Sequence, residues 1–196
     1  MPTKTDVCNI ALVVHLGADP ITSFGETDTK NGRLCNRVYE YILRDMLEDH
    51  PWQFAKKSAA LNVLSDEDPV EWAYAYKWPS DCVMPREIQR PSRSAVPTNF
   101  EIMENSDGDR IICTNQQDAV LIYTAYLDNP NMYTAKFRKA FSFALAVAMS
   151  PTTAPKQKIE KLEDMADKAL SMAKSADTQT KSEDTEPDCE FITARI

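Results

Sequence analysis

The hydrophobic period of this 196-residue chain changes twice along its length. Near both ends apolar residues recur every three or four positions; in between they alternate. The first spacing suits one face of a helix and the second one face of a strand. The chain is therefore expected to be α+β and mostly α, with a sheet unit inserted between helices.

Residues 5–16 carry Val7, Ile10, Ala11 and Val14 at helical spacing, with Thr5 as the expected N-cap, Asp6 in the first turn and Gly17 as the stop. A loop follows at 18–25, where Pro20 cannot continue a helix. Residues 28–49 read as a longer helix with Leu34, Val38, Tyr41, Ile42 and Met46 on its apolar face. His50-Pro51 ends it. Its arginines, Arg33, Arg37 and Arg44, fall on the polar side beside Glu40, Asp45 and Glu48. Either they pair locally with those acids or they form a surface for a neighbouring subunit.

The middle of the chain reads differently. Residues 73–78 alternate with aromatics, 83–89 form a short strand interrupted by Pro85, and 119–127 alternate again. Residues 99–103 and 110–114 flank Asn105-Ser106-Asp107-Gly108-Asp109, a hairpin signal. Helical spacing returns with Tyr133, Phe137, Ala140, Phe141, Ala144, Leu145 and Ala148, and again over 156–176. The alanines of 140–148 suggest close packing by neighbours, a second subunit among them. The expected layout is an antiparallel bundle of two N-terminal and two C-terminal helices, a discontinuous domain of residues 1–50 and 129–176. A small antiparallel β insertion, 51–128, projects from it. Residues 177–196 hold six acids and two bases, half of the chain's net charge of −8, and read as an extended acidic tail. The tail ends in Phe191, Ile192, Arg195 and Ile196, which look like anchors for a partner.

The composition excludes several chemistries. A net charge of −8 argues against tight sequence-independent binding of DNA, which needs clustered Lys and Arg. Four glycines leave no room for a phosphate loop. Five scattered cysteines lack the spacing of a zinc site and read as reduced thiols in a cytosol. Only His15 and His50 could serve a histidine-dependent catalyst. The longest apolar run, 141–149, is too short to span a membrane. Trp52, Phe54, Trp72, Tyr74, Tyr76 and Trp78 could stack on bases, but the acids around them favour core packing. No catalytic, cofactor-binding or metal-binding residue is expected.

The wording of the chain goes further. Asn9-Ile10-Ala11-Leu12, His15-Leu16-Gly17-Ala18-Asp19-Pro20-Ile21, Asn36-Arg37-Val38-Tyr39 and His50-Pro51-Trp52-Gln53-Phe54-Ala55-Lys56-Lys57 come in order. Trp72-Ala73-Tyr74-Ala75-Tyr76, Pro79-Ser80-Asp81-Cys82 and Phe191-Ile192-Thr193-Ala194-Arg195 follow. This ordered series resembles the tail tubular protein A family, the head–tail adaptors of short-tailed bacteriophages. The resemblance implies a virion structural protein, made in the host cytoplasm, of which twelve copies form a ring between portal protein and tail nozzle. Such a ring extends and seals the DNA channel without holding DNA tightly, and in many members it also docks tail fibres. On this reading Phe191, Ile192, Arg195 and Ile196 dock on the portal, and Arg33, Arg37, Arg44, Phe137, Phe141 and Leu145 lie between subunits. A tail-associated hydrolase of cell wall or polysaccharide is the alternative from another class.

Overall fold

The structure is a computed structural model that describes residues 1–67, 69–90, 96–152 and 156–180. Over these described residues it is a mixed α+β fold of four α-helices and two small antiparallel sheets.

Helix α1 (Lys4–Asn9) starts at Thr3, two residues before the expected cap. The Thr3 hydroxyl accepts the Asp6 N–H at 3.1 Å, and the Asp6 carboxylate accepts the Thr3 N–H at 2.8 Å. This reciprocal pair satisfies two donors that a helix start leaves open, and the Thr3 contacts hold the Asp6 pKa below its ordinary value. Thr5 is thereby free to take the Phe24 N–H instead.

From Ile10 to Leu16 the helix widens to a π-helix, closed by Gly17 in the left-handed region at φ +70°, whose N–H reaches back to the Leu12 carbonyl. The wider turn moves the buried set to Val7, Cys8, Ala11, Leu12 and Leu16. Ile10 and Val14, expected on the apolar face, point outward together with Val13. The loop that follows is pinned to this segment: Asn9 accepts the Ile21 N–H and donates to the Ile21 carbonyl. Glu26 ties the loop to the next helix. It takes hydrogen bonds from Thr22, Thr29 and Ser23, and these bonds draw its pKa down to about 2.

Helix α2 (Lys30–Glu48) begins at Thr29, whose hydroxyl accepts the Gly32 N–H. Its buried row is Cys35, Tyr39, Leu43, Met46 and Leu47; of the expected face Met46 is in it, and the rest lies one position round. Leu34, Val38 and Ile42 form its half-buried flank, and Tyr41 is 72% exposed. Helix α3 (Ala135–Met149), capped by Thr134, packs against α1, the π-helical segment, α2 and α4 (Lys156–Thr180). Residues from both ends of the chain thus share one apolar core. Helix α4 runs four residues past the expected end, so Asp177 belongs to it rather than to a tail.

Six strands lie between α2 and α3: β1 (Lys56–Ala60), β2 (Tyr74–Lys77), β3 (Cys82–Ile88), β4 (Phe100–Glu104), β5 (Arg110–Thr114) and β6 (Val120–Ala125). They form two sheets, ordered β1-β6-β3 and β2-β5-β4, not one. Strand β1 is the one that its composition hides, since Lys56-Lys57-Ser58-Ala59-Ala60 has neither β-branched residues nor aromatics. Pro85 sits where β3 slips register against β6, as a residue without an N–H must. The β4–β5 hairpin closes as expected: Asn105 accepts the N–H groups of Asp107 and Asp109, and Gly108 takes φ +83°. The sheets carry cores of their own, centred on Tyr76, Ile112, Leu121 and Tyr123 and on Ala75, Ile111 and Cys113.

Candidate interaction surfaces

Three of the expected inter-subunit residues belong to the interior. Phe137, Phe141 and Leu145 have no exposed surface at all. Phe137 meets Trp52 and Phe54 edge-on at 4.8 Å and Tyr133 at 5.1 Å, and Phe141 meets Tyr39 at 5.1 Å. They cannot form a contact between copies, because α2 and the segment around Trp52 already cover that side of α3. The aromatics of 52–78 also pack inward or against their own sheet, and Trp52 is fully buried with its Nε1 donating to the Met46 carbonyl.

The arginines of α2 are exposed. Arg33 donates to the carbonyls of Thr27 and Asp28, and Arg44 pairs with Glu40 and lies 4.3 Å over the Tyr126 ring. The Arg44–Glu40 pair is the kind of local contact that the sequence offered as one of two readings, whereas Arg33 is held by backbone carbonyls before its helix and not by those acids. Phe191, Ile192, Arg195 and Ile196 lie outside the described residues.

Each histidine has a structural partner. His15 stacks on Phe143 with ring centroids 3.8 Å apart, and its Nε2 lies 3.1 Å from the Ser142 hydroxyl. Burial, then the nearby Lys139, lowers its pKa from the ordinary 6.5. Ser142 is buried and donates its hydroxyl to the Lys139 carbonyl. His50 contacts Asp177, which is 3% exposed and accepts the Gln53 N–H through both carboxylate oxygens. Arg86 braces the same junction from β3, donating to the Trp52 carbonyl at 2.6 Å and to the Thr124 hydroxyl at 3.0 Å. Burial lowers the Arg86 pKa, and the charge of Asp177 opposes that.

A second polar knot sits on the first sheet. Lys57 reaches Asp81 at 2.5 Å, and the Tyr123 hydroxyl donates to the other Asp81 oxygen at 2.9 Å. Burial pushes the Asp81 pKa up, but these two donors outweigh it and hold the carboxyl below its ordinary value.

Among the described residues, two surfaces built on α3 differ in character. On one side a groove of about 280 Å³ opens between α2, α3 and α4. Its apolar lining includes Ile42, Ala144, Val147 and Leu170, and Asp45, Glu163 and Asp167 stand at its edge. On the other side the π-helical segment presents Ile10, Val13 and Val14, the last 69% exposed. Beside them a recess of about 350 Å³ is lined by Ile10, His15, Arg138 and Lys139, with Asp6 at its margin. At 100° per residue the α3 positions facing the groove (140, 144, 147, 148) and those facing the recess (135, 138, 139, 142) point about 175° apart. Sequence reasoning missed the outward valines; of the groove it offered the alanines of 140–148, and Ala140, Ala144 and Ala148 line it. The outward valines depend on the π-helical turn, and the groove depends on how three helices meet.

Among the described residues no group of three or more His, Cys, Asp or Glu side chains is placed to hold a metal, and no helix is long and apolar enough to cross a membrane. No family model matches the chain, and no curated protein matches it.

Proposed function

We propose that the chain is a virion structural protein, a head–tail adaptor that works as a ring between the portal and the tail nozzle of a short-tailed phage. The observation that carries this reading is the layout. Helices from the two ends of the chain share one core, and the six strands lie between them in sequence, as the resemblance to the tail tubular protein A family implies. On this reading the four helices act as an antiparallel bundle that forms the body of each subunit, and the β insertion offers surface to the nozzle and to tail fibres. The segment holding Phe191, Ile192, Arg195 and Ile196 docks on the portal. A net charge of −8 suits a channel wall that lets DNA pass, since an acidic surface repels phosphates weakly and offers few cations to bind them.

The test is co-sedimentation of the purified chain with assembled portal rings from the same genome, with copies per ring read by native mass spectrometry. Saturable binding at a fixed stoichiometry is expected, twelve copies if the resemblance extends to ring number. An intact portal that takes up none of the chain would overturn the reading.

A further inference from the structure

We infer that the two opposed surfaces of α3 are the two halves of one contact, and that the Ile10–Val14 knob of one copy seats in the α2–α3–α4 groove of the next. The inference rests on the adaptor reading for the importance of a ring. The surfaces themselves are argued from the fold.

The first support is chemical match. The knob presents Ile10, Val13 and Val14 to solvent, where apolar side chains gain from burial. The groove is apolar inside and open enough to receive side chains of that size. The second support is charge. Lys139 is exposed beside the knob, and Arg138 lines the same recess, although its guanidinium is held by the carbonyls of Pro130 and Tyr133. The one acid there, Asp6, is engaged by Thr3. The groove edge is acidic on both helices that flank it, with Asp45 on α2 and Glu163 and Asp167 on α4. A basic-rimmed apolar knob therefore meets an acidic-rimmed apolar groove, which favours this pairing over knob on knob or groove on groove.

The third support is direction. Because the surfaces point about 175° apart around α3, one copy cannot use both on the same neighbour. The contact is heterologous: each copy gives its knob to one neighbour and its groove to another, and such contacts close as rings or run on as filaments. A two-fold dimer cannot satisfy it.

The test uses the full chain and two sets of exposed substitutions. Val13→Ser with Val14→Ser removes the knob's apolar surface. Glu163→Lys with Asp167→Lys reverses the charge of the groove edge. Association is followed by sedimentation equilibrium up to about millimolar protein, the regime of weak contacts, and circular dichroism checks that every variant is folded. The wild-type chain is expected to associate beyond dimers. Each variant alone is expected to weaken association at least tenfold. An equimolar mixture of the two variants is expected to stop at a 1:1 pair, because only one intact knob and one intact groove remain between them. A wild-type chain that stays monomeric, variants that associate like wild type, or a mixture that behaves like either variant alone would each overturn the inference. Portal rings that load the knob variant as fully as wild type would also overturn it while leaving the adaptor reading in place. Rings that load neither would count against that reading instead.

Discussion

Asp177, in the last turn of α4, receives the backbone N–H of Gln53 at 3.0 and 3.1 Å across 124 positions of sequence. This carboxylate joins the end of the helical core to the turn that leads into the first strand. An N–H at the start of the Gln53–Ala55 turn has no partner inside that turn, and Asp177 supplies one.

Asp177→Ala should therefore destabilise the protein by about 2 kcal/mol, the usual cost of leaving a buried donor unpaired. Urea titration followed by tryptophan fluorescence checks it. Chains ending after Ala176 and after Thr180 should differ in the same direction, with the shorter one weaker. Equal midpoints for the two would show that the contact contributes nothing.

Phe141→Ala should cost about 4 kcal/mol, because it empties a fully buried aromatic site. The loss should appear as an earlier unfolding transition at every protein concentration. An interface residue would behave otherwise, leaving the folded subunit intact and changing only its concentration dependence. Thermal melts at two widely separated concentrations distinguish the two.

Gly32→Ala tests the close approach at the start of α2. Alanine in a helix gains about 1 kcal/mol over glycine from propensity alone. Here the new Cβ would lie 2.5 Å from the Glu26 carbonyl oxygen, a backbone atom that cannot swing aside. The substitution should lower the melting temperature, and a rise would mean that the loop yields.

His15 gives the fold a pH dependence of known sign. Its folded pKa lies below the ordinary 6.5, so as pH falls the unfolded chain takes up the proton first. The stability it contributes is complete above about 6.5 and is lost as pH drops through the folded value. Asp81 follows the same sign lower down, losing its contribution below the ordinary carboxylate value of 3.8. Replacing His15 by glutamine, which can still reach Ser142, should reduce the drop in melting temperature between pH 7.5 and pH 5. An unchanged drop would assign that pH dependence to other groups.

Helix and strand positions were legible where one period dominated. The Asn105–Asp109 hairpin, α3 and most of α4 were readable because turn chemistry and spacing are local. The misreadings have particular causes. Val14 obeys helical spacing, yet the π-helical turn before it rotates it outward, and no residue among 10–16 announces that turn; Gly17 marks only its end. Tyr41 and Tyr39 are two positions apart, and tertiary packing alone chose the second as the buried one. Strand β1 forms because β6 offers it a partner from Thr124 to Val120, not because its residues prefer to be extended. Phe137, Phe141 and Leu145 were legible as apolar, but an apolar stripe does not say whether its cover comes from the same chain. Asp177 was the opposite case: a charged residue in an acidic stretch, drawn inside by a backbone donor 124 positions away.

The shared core of α1, α2, α3 and α4 has a consequence for synthesis. A ribosome releases the chain in order, so the apolar faces of α1 and α2, with Cys8, Cys35 and Tyr39, emerge long before α3 exists to cover them. The six strands must be translated in the interval, and the contacts that close the core, such as His15 to Ser142, span 127 positions. Contacts so distant in sequence form late. Until then the nascent chain carries exposed apolar surface. The sheets, whose partners lie nearer in sequence, can settle first, and the helical body is the last part of the molecule to become itself.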